Sequence, residues 1–319
     1  MTVIKKDDFI NSIANAFQYI SYYHPKDFVD AVYEAWQKET NQSAKNAMGQ
    51  ILTNSRMSAM GHRPICQDTG SAVVFLDIGM NVQWDLQGSA MSVEDMVNEG
   101  VRRAYNNPDN PLRASILVDP ISKRQNTKDN TPAVVHMSVV PGDKVDVICA
   151  AKGGGSENKA KFAMLNPSDS IEEWVLKTVP QMGAGWCPPG ILGIGVGGTP
   201  EKAMMLAKRS LMEHIDIHDL QAKAQSGAEL DSVERLRLNM YDKVNELGVG
   251  AQGLGGLTTV LDVKVLDFPT HAASKAVAMI PNCAATRHIH FTLDGQGEAA
   301  LPVPSLSDWP EVSFGSDDV

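Results

Sequence analysis

Ile191-Leu192-Gly193-Ile194-Gly195-Val196-Gly197-Gly198-Thr199-Pro200-Glu201-Lys202 passes from a short apolar strand, Ile191 to Val196, into the opening of a helix. Threonine stands at the N-cap and proline at the first helical position, where the missing N–H is no loss and the fixed φ suits the helix. The alternation runs outward in both directions. Ahead of it, residues 71–79 read as a strand, and residues 131–151 as two strands turned at Pro141-Gly142-Asp143. Ser92-Val93-Glu94-Asp95 and Ser170-Ile171-Glu172-Glu173 are capping boxes; their helices run toward Tyr105 and stop before Pro180. Behind it, residues 232–247 read as a helix closed by Gly248, and residues 257–266, 276–280 and 288–293 as strands. Such alternation gives an α/β or mixed α+β class, with mixed sheets flanked by helices.

The start and the end have a different texture. Phe9, Ile13, Phe17 and Ile20, then Phe28, Val32 and Trp36, recur at intervals of three and four, which predicts an all-helical segment over about residues 1–60. At the other end Leu301-Pro302-Val303-Pro304-Ser305-Leu306-Ser307-Asp308-Trp309-Pro310 reads as a proline-rich linker, and Ser313 to Val319 is small, polar and acidic. The expected organisation is one large domain, as a single body or two lobes, over residues 1–300. Residues 301–319 form a tail where the chain hands over to another domain or subunit. With 43% hydrophobic residues in 319, the chain can bury a large core. No apolar run approaches the ~20 residues of a membrane span, and no secretory signal follows Met1. Four cysteines far apart favour a reducing cytoplasm over a disulfide framework. The net charge of −10 argues against nucleic acid but not against a small anionic substrate, which answers to local cations.

Three of the four cysteines lie in glycine- or proline-bounded turns: Cys66 in Pro64-Ile65-Cys66-Gln67-Asp68-Thr69-Gly70, Cys187 in Gly185-Trp186-Cys187-Pro188-Pro189-Gly190, and Cys283 in Pro281-Asn282-Cys283-Ala284-Ala285-Thr286-Arg287. Cys149 lies inside an apolar strand and reads as core filler. Three presented thiolates without a fourth suit a metal centre with one open position. The spacing, 121 residues and then 96, is unlike zinc fingers or ferredoxins, and three buried thiols in loops is the plain alternative.

Other candidates gather around them. Asp68, two residues past Cys66, is placed to give a proton to a departing hydroxyl; alternatively it caps its own turn. Gly153-Gly154-Gly155-Ser156, with Asn158 and Lys159 following, is an anion nest for a carboxylate or a structural turn, and lacks the Walker pattern. Gly193-Ile194-Gly195-Val196-Gly197-Gly198 matches G-x-G-x-x-G, yet the glycines fall within a strand, so close packing between the Cys187 turn and the next helix explains them better than a dinucleotide. His271 follows a strand and precedes Cys283, a working or a structural histidine; His288 and His290 read as structural. Arg113 opens a strand-like segment and suits bidentate hold on a carboxylate.

Together the segments Ile65–Gly70, Ala151–Lys159, Gly185–Gly190 and Ile280–Ala285 resemble the N-terminal, cluster-binding part of class I fumarate hydratases, a module that tartrate dehydratase α-subunits share. The likeness runs from the N-terminal helices to Trp309-Pro310. It implies that family's N-terminal fold, a homodimer, and an oxygen-sensitive [4Fe–4S] cluster on Cys66, Cys187 and Cys283 with its fourth iron open to substrate. By the same resemblance Gln67, Arg113, Gly153, Ser156, Asn158 and Lys159 hold substrate, while Asp68 and His271 act in the reversible hydration of fumarate to L-malate. The resemblance also implies that the residue removing the C3 proton lies in a C-terminal swivelling domain or β-subunit, which is absent here. The chain by itself is then expected to bind cluster and turn over poorly. Tartrate dehydration is the nearest rival activity; a non-catalytic iron–sulfur sensor or binding module and a nicotinamide dehydrogenase are rivals of other classes.

Overall fold

The computed structural model describes residues 2–313. The chain opens with β1 (Thr2–Lys5), followed by α1 (Lys6–Tyr22), α2 (Lys26–Lys38) and α3 (Gln42–Gly61). After a turn come β2 (Ser71–Gly79), β3 (Val82–Asp85), α4 (Val93–Tyr105), the short β4 (Leu117–Val118) and β5 (Gln125–Asn126), β6 (Val134–Val140), β7 (Val145–Lys152) and one helical turn, α5 (Gly154–Glu157). The second half adds β8 (Lys161–Leu165), α6 (Ile171–Met182), β9 (Gly190–Gly197), α7 (Pro200–Ser210), α8 (Ile217–Gln225) and α9 (Ser232–Glu246). It ends in β10 (Val260–Phe268), β11 (Lys275–Asn282) and β12 (His288–Leu293). The class is mixed α/β, as the alternation predicts.

Contacts divide these elements into two compact units. Among the described residues the first is built from Thr2–Pro25, Ser55–Gly154 and Arg287–Asp308; the second from Lys26–Asn54, Gly155–Thr286 and Trp309–Ser313. In the first unit the sheet order is β12-β7-β2-β6, with β6 parallel and β7 antiparallel to β2. Residues 131–151 therefore hold two strands, as expected, but they flank β2 instead of pairing with each other. Helices α1 and α4 cover one face. Phe9, Ile13, Phe17 and Ile20 from the former, and Met96, Val97, Val101 and Ala104 from the latter, meet Val74, Leu76, Val147 and Cys149 in one core. The helix period of the sequence is thus the period of burial.

The expectation of an all-helical start is corrected at its first residues. Thr2-Val3-Ile4 is β-branched throughout, which favours extended backbone, and β1 pairs in parallel with β3. Ser92 and Asp95 form the full reciprocal capping box. At Ser170 only half of it exists, the side chain accepting from Glu173 N–H, and α6 carries Pro180 within its last turns before ending at Gly183.

In the second unit the order is β10-β9-β11-β8, with β9 and β10 parallel and β11 antiparallel to both β9 and β8. Val175, Val179 and Met182 of α6 and Met240 and Val244 of α9 bury one face, together with Trp186. On β9 a Cβ at Gly195 would stand 2.0 Å from the Ala203 carbonyl oxygen, and one at Gly193 2.3 Å from that of Ala207. The glycines of the G-x-G-x-x-G match thus let α7 lie directly on its own preceding strand, which assigns the close packing to strand and helix. Leu301 packs against the core of the first unit, Arg56 Nη1 donates to the Leu306 carbonyl, and Trp309 is buried. Of the acidic tail, Ser313 is the last described residue, and the rest of Ser313 to Val319 lies outside the described residues.

Candidate active site

In the first unit the site is the turn that feeds β2. Peptide groups in a turn have no ladder partners, so side chains must satisfy them. Tyr105, at the end of α4, donates its hydroxyl to Thr69 O at 2.9 Å and reaches Gly70 O at 3.3 Å. Asn130 Nδ2 donates to Gly70 O at 2.9 Å, while its Oδ1 accepts from Ser115 N at 2.8 Å. Thr69 Oγ1 donates to Arg113 O, which fixes the Arg113 backbone beside the turn and leaves its side chain exposed. Burial pushes the Tyr105 phenol up to about 12, so the ring remains a donor at any ordinary pH.

Asp68 is held at three points. Oδ1 accepts from Gly70 N at 3.0 Å, Oδ2 from Gly154 N at 2.7 Å, and its carbonyl oxygen from Arg287 Nη1 at 2.7 Å. It caps its own turn, as the plain alternative has it, and the same bonds fix where the carboxyl points. Each carboxyl oxygen keeps a second lone pair for other partners. The Gly154 amide, expected to serve an anion nest, is taken by Asp68. Gly153 is buried against that carboxyl, a Cβ there standing 3.4 Å from Oδ2. Gln67 is exposed, and the Cys66 thiol lies 3.5 Å from its Oε1.

In the second unit the site lies where β9 begins and β11 ends. Antiparallel register places Asn282 opposite Ile191, so the turns before and after these strands meet. Ala284 N donates to Cys187 O at 3.0 Å, which brings the backbones of two cysteine turns together. Cys187 has a φ of 56° and is exposed; Cys283 is mostly buried. Trp186 anchors the turn in the core. The Ser156–Lys159 segment leans on the same turn: Lys159 Cε stands 3.1 Å from where a Cβ of Gly185 would be. Ser156 is buried and Asn158 exposed.

His271 is not brought to this end. It sits in the turn between β10 and β11, its Nδ1 accepting from Ala273 N at 3.1 Å. Cys283 lies beyond the far end of β11, an eight-residue strand that at about 3.3 Å per residue separates them by roughly 25 Å.

The donor chemistry can be tested on the cysteines themselves. Cys149 is fully buried and burial pushes its thiol far up, so it stays protonated, inert and unsuited to a metal. None of the four cysteines is in a disulfide. Among the described residues no three His, Cys, Asp or Glu side chains converge on a single metal ion. Two cysteines on touching turns fit a multi-iron cluster better, because there each thiolate takes its own iron. Sequence reasoning missed Tyr105 and Arg287. The available signal for Arg287 was an arginine four residues after Cys283, leading into a strand.

A family model described as fumarate hydratase (fumerase) matches residues 10–292. The putative L(+)-tartrate dehydratase subunit alpha of Methanocaldococcus jannaschii is 33% identical over 86% of this chain and 94% of its own length. The L(+)-tartrate dehydratase subunit alpha of Escherichia coli UTI89 is 28% identical, covering 86% of this chain and 87% of its own. The anaerobic class I fumarate hydratase of Escherichia coli K12 is 28% identical over 81% of this chain but 46% of its own, so the chain spans about half of that protein.

Proposed function

The chain belongs to the class I fumarate hydratase family, and from that premise we propose that it is the cluster-bearing part of a hydro-lyase for the reversible hydration of fumarate to L-malate. The observation that carries this reading is the fixing of Asp68, through Gly70, Gly154 and Arg287, on the turn that also bears Cys66. Cys66, Cys187 and Cys283 would hold a [4Fe–4S] cluster. Bound there, the cluster would supply Lewis-acid chemistry for the hydroxyl and one carboxylate of the substrate.

The remaining work falls to side chains. Asp68, oriented by two backbone N–H groups, carries the proton that the departing hydroxyl takes. By this proposal Gln67, Arg113, Gly153, Ser156, Asn158 and Lys159 contact the substrate's polar groups. His271, at the opposite end of its sheet from Cys283, is given no step. The base for C3 is assigned to a second chain or domain; the half-length match to the fumarate hydratase, and a relative named as an α-subunit, support that. A reducing, cytoplasmic setting belongs to the same proposal, because the iron needs free thiolates.

One observation favours a second reading, L-tartrate dehydration: the match covers nearly all of a putative tartrate dehydratase α-subunit. The test is anaerobic reconstitution of wild type and of the single Cys66, Cys187, Cys283 and Cys149→Ala variants, followed by iron and sulfide analysis and turnover of L-malate and L-tartrate with the complementing chain or domain. About four irons, lost in the first three variants and kept in the fourth, support the ligand set; the preferred substrate decides between the readings. A cluster that forms without Cys187, or one that needs Cys149, sinks the assignment.

A further inference from the structure

Arg287 begins the return of the chain into the first unit, one residue before β12. Its side chain is 3% exposed, among the most buried cations of the molecule. Burying a guanidinium is costly unless its donors find acceptors, and a carboxylate is the usual answer. Among the described residues no carboxylate side chain pairs with it. Among the same residues the one hydrogen bond of its side chain is from Nη1 to the carbonyl oxygen of Asp68, and Nε is buried without a partner.

The geometry of what is left over is specific. A guanidinium presents donors along its edges, and the edge formed by Nε and Nη2 matches the two oxygens of a carboxylate. Nη1, on the other side, is the atom spent on Asp68. Nη2 lies 3.6 Å from where a Cβ of Gly153 would stand, and Asp68 Oδ2 lies 3.4 Å from the same point. The absent side chain of Gly153 thus leaves open the point between Nη2 and the carboxyl proposed to deliver the proton. We propose that Arg287 receives one carboxylate of the substrate through Nε and Nη2, in the space that Gly153 keeps clear. The assignment rests on the hydro-lyase reading and adds a binding residue to it. It also explains why an arginine is buried there: the Nη1 bond ties carboxylate capture to the position of Asp68, so one side chain registers both.

The test is titration of the full chain with succinate, a dicarboxylate lacking the hydroxyl that would be lost, followed calorimetrically for wild type, Arg287→Lys and Gly153→Ala. Lysine keeps the charge and loses the fork. Alanine keeps Arg287 and fills the gap, and its Cβ meets neighbours only at ordinary contact distance, so that variant folds. The expected result is succinate binding by wild type, weakened about ten- to hundredfold in both variants, with the unliganded melting temperature of Gly153→Ala unchanged. Equal affinity in wild type and Gly153→Ala, or in wild type and a folded Arg287→Lys, overturns the assignment while leaving the hydro-lyase reading intact. If wild type fails to bind succinate, the assignment falls. If the complemented protein also turns over no hydroxy dicarboxylate, the underlying reading falls with it.

Discussion

The amide of Ala284 donates to the carbonyl oxygen of Cys187 at 3.0 Å, joining two turns that lie 96 residues apart in sequence from cysteine to cysteine. Strand pairing makes this contact. β9 and β11 run antiparallel, so the turn entering one strand must meet the turn leaving the other. Two of the three cysteine turns singled out in the sequence thus lie at one end of one sheet.

That placement sets an order of thiol reactivity in cluster-free, reduced protein. Thiolate chemistry needs access and an attainable ionisation. Cys187 is exposed, Cys66 half-buried, Cys283 mostly buried, and Cys149 is inaccessible with its thiol pushed up by burial. Brief treatment with iodoacetamide is expected to label Cys187 first, and Cys149 only after denaturant is added. Peptide mass spectrometry reads the order directly. Early labelling of Cys149 would show that β7 does not sit in the core.

Tyr105 makes the turn around Asp68 sensitive to alkali. Its phenol, raised to about 12 by burial, stays protonated in the folded chain while the unfolded one ionises near 10. Between pH 10 and 12 the unfolded state therefore binds fewer protons, and stability falls as pH rises through that window; below pH 10 the contribution is fully present. Tyr105→Phe removes this slope, on the order of 2 kcal/mol across the window, while costing about 1–2 kcal/mol at neutral pH from the lost bonds to Thr69 and Gly70. Tyr19 and Tyr22, also raised chiefly by burial, persist in the variant, so the difference isolates Tyr105. Melting curves from pH 8 to 11.5 test it; parallel decline in both proteins would refute the burial argument.

Elements were legible where local chemistry decides them. The Ser92 box, the proline opening α7 and the apolar spacing of α1 each act within one or two turns, whereas the Thr199 hydroxyl bonds to Glu201 and not to the helix N–H groups. Partners were not legible. Residues 131–151 look like a hairpin because Pro141-Gly142-Asp143 turns the chain, yet the insertion of β2 between β6 and β7 is a long-range choice. Likewise His271 precedes Cys283 by only twelve residues in sequence, yet an intervening strand carries them to opposite ends of a sheet. Arg287 was hidden because its significance lies in what it fails to touch.

Asp262 holds a buried charge cluster in the second unit. Wholly inaccessible, it accepts from Asp216 N at 3.0 Å, Arg237 Nη2 at 3.2 Å and Lys264 Nζ at 3.1 Å. Replacing it with alanine strips two little-exposed cations of their buried partner, leaving only the half-exposed Asp216. Breaking such a set from one side costs about 3–5 kcal/mol. Urea unfolding of Asp262→Ala is expected to show a loss of that order. A change under 1 kcal/mol would mean that Asp216 alone neutralises both cations.

Asp68 separates an enzyme from a cluster-binding sensor. In Asp68→Asn the amide oxygen can still accept from Gly70, but the NH₂ then faces the Gly154 amide, replacing a bond of 2.7 Å by two opposed donors. No transferable proton remains. If the carboxyl serves the departing hydroxyl, turnover in the reconstituted, complemented protein drops by roughly 10²–10⁴, while iron content and visible spectrum stay those of wild type because no thiolate has changed. A sensor needs the cluster and not the proton, so its response to iron or oxygen would survive the substitution untouched. Loss of turnover with a normal cluster therefore supports the hydro-lyase, and wild-type turnover in the variant would remove Asp68 from the reaction.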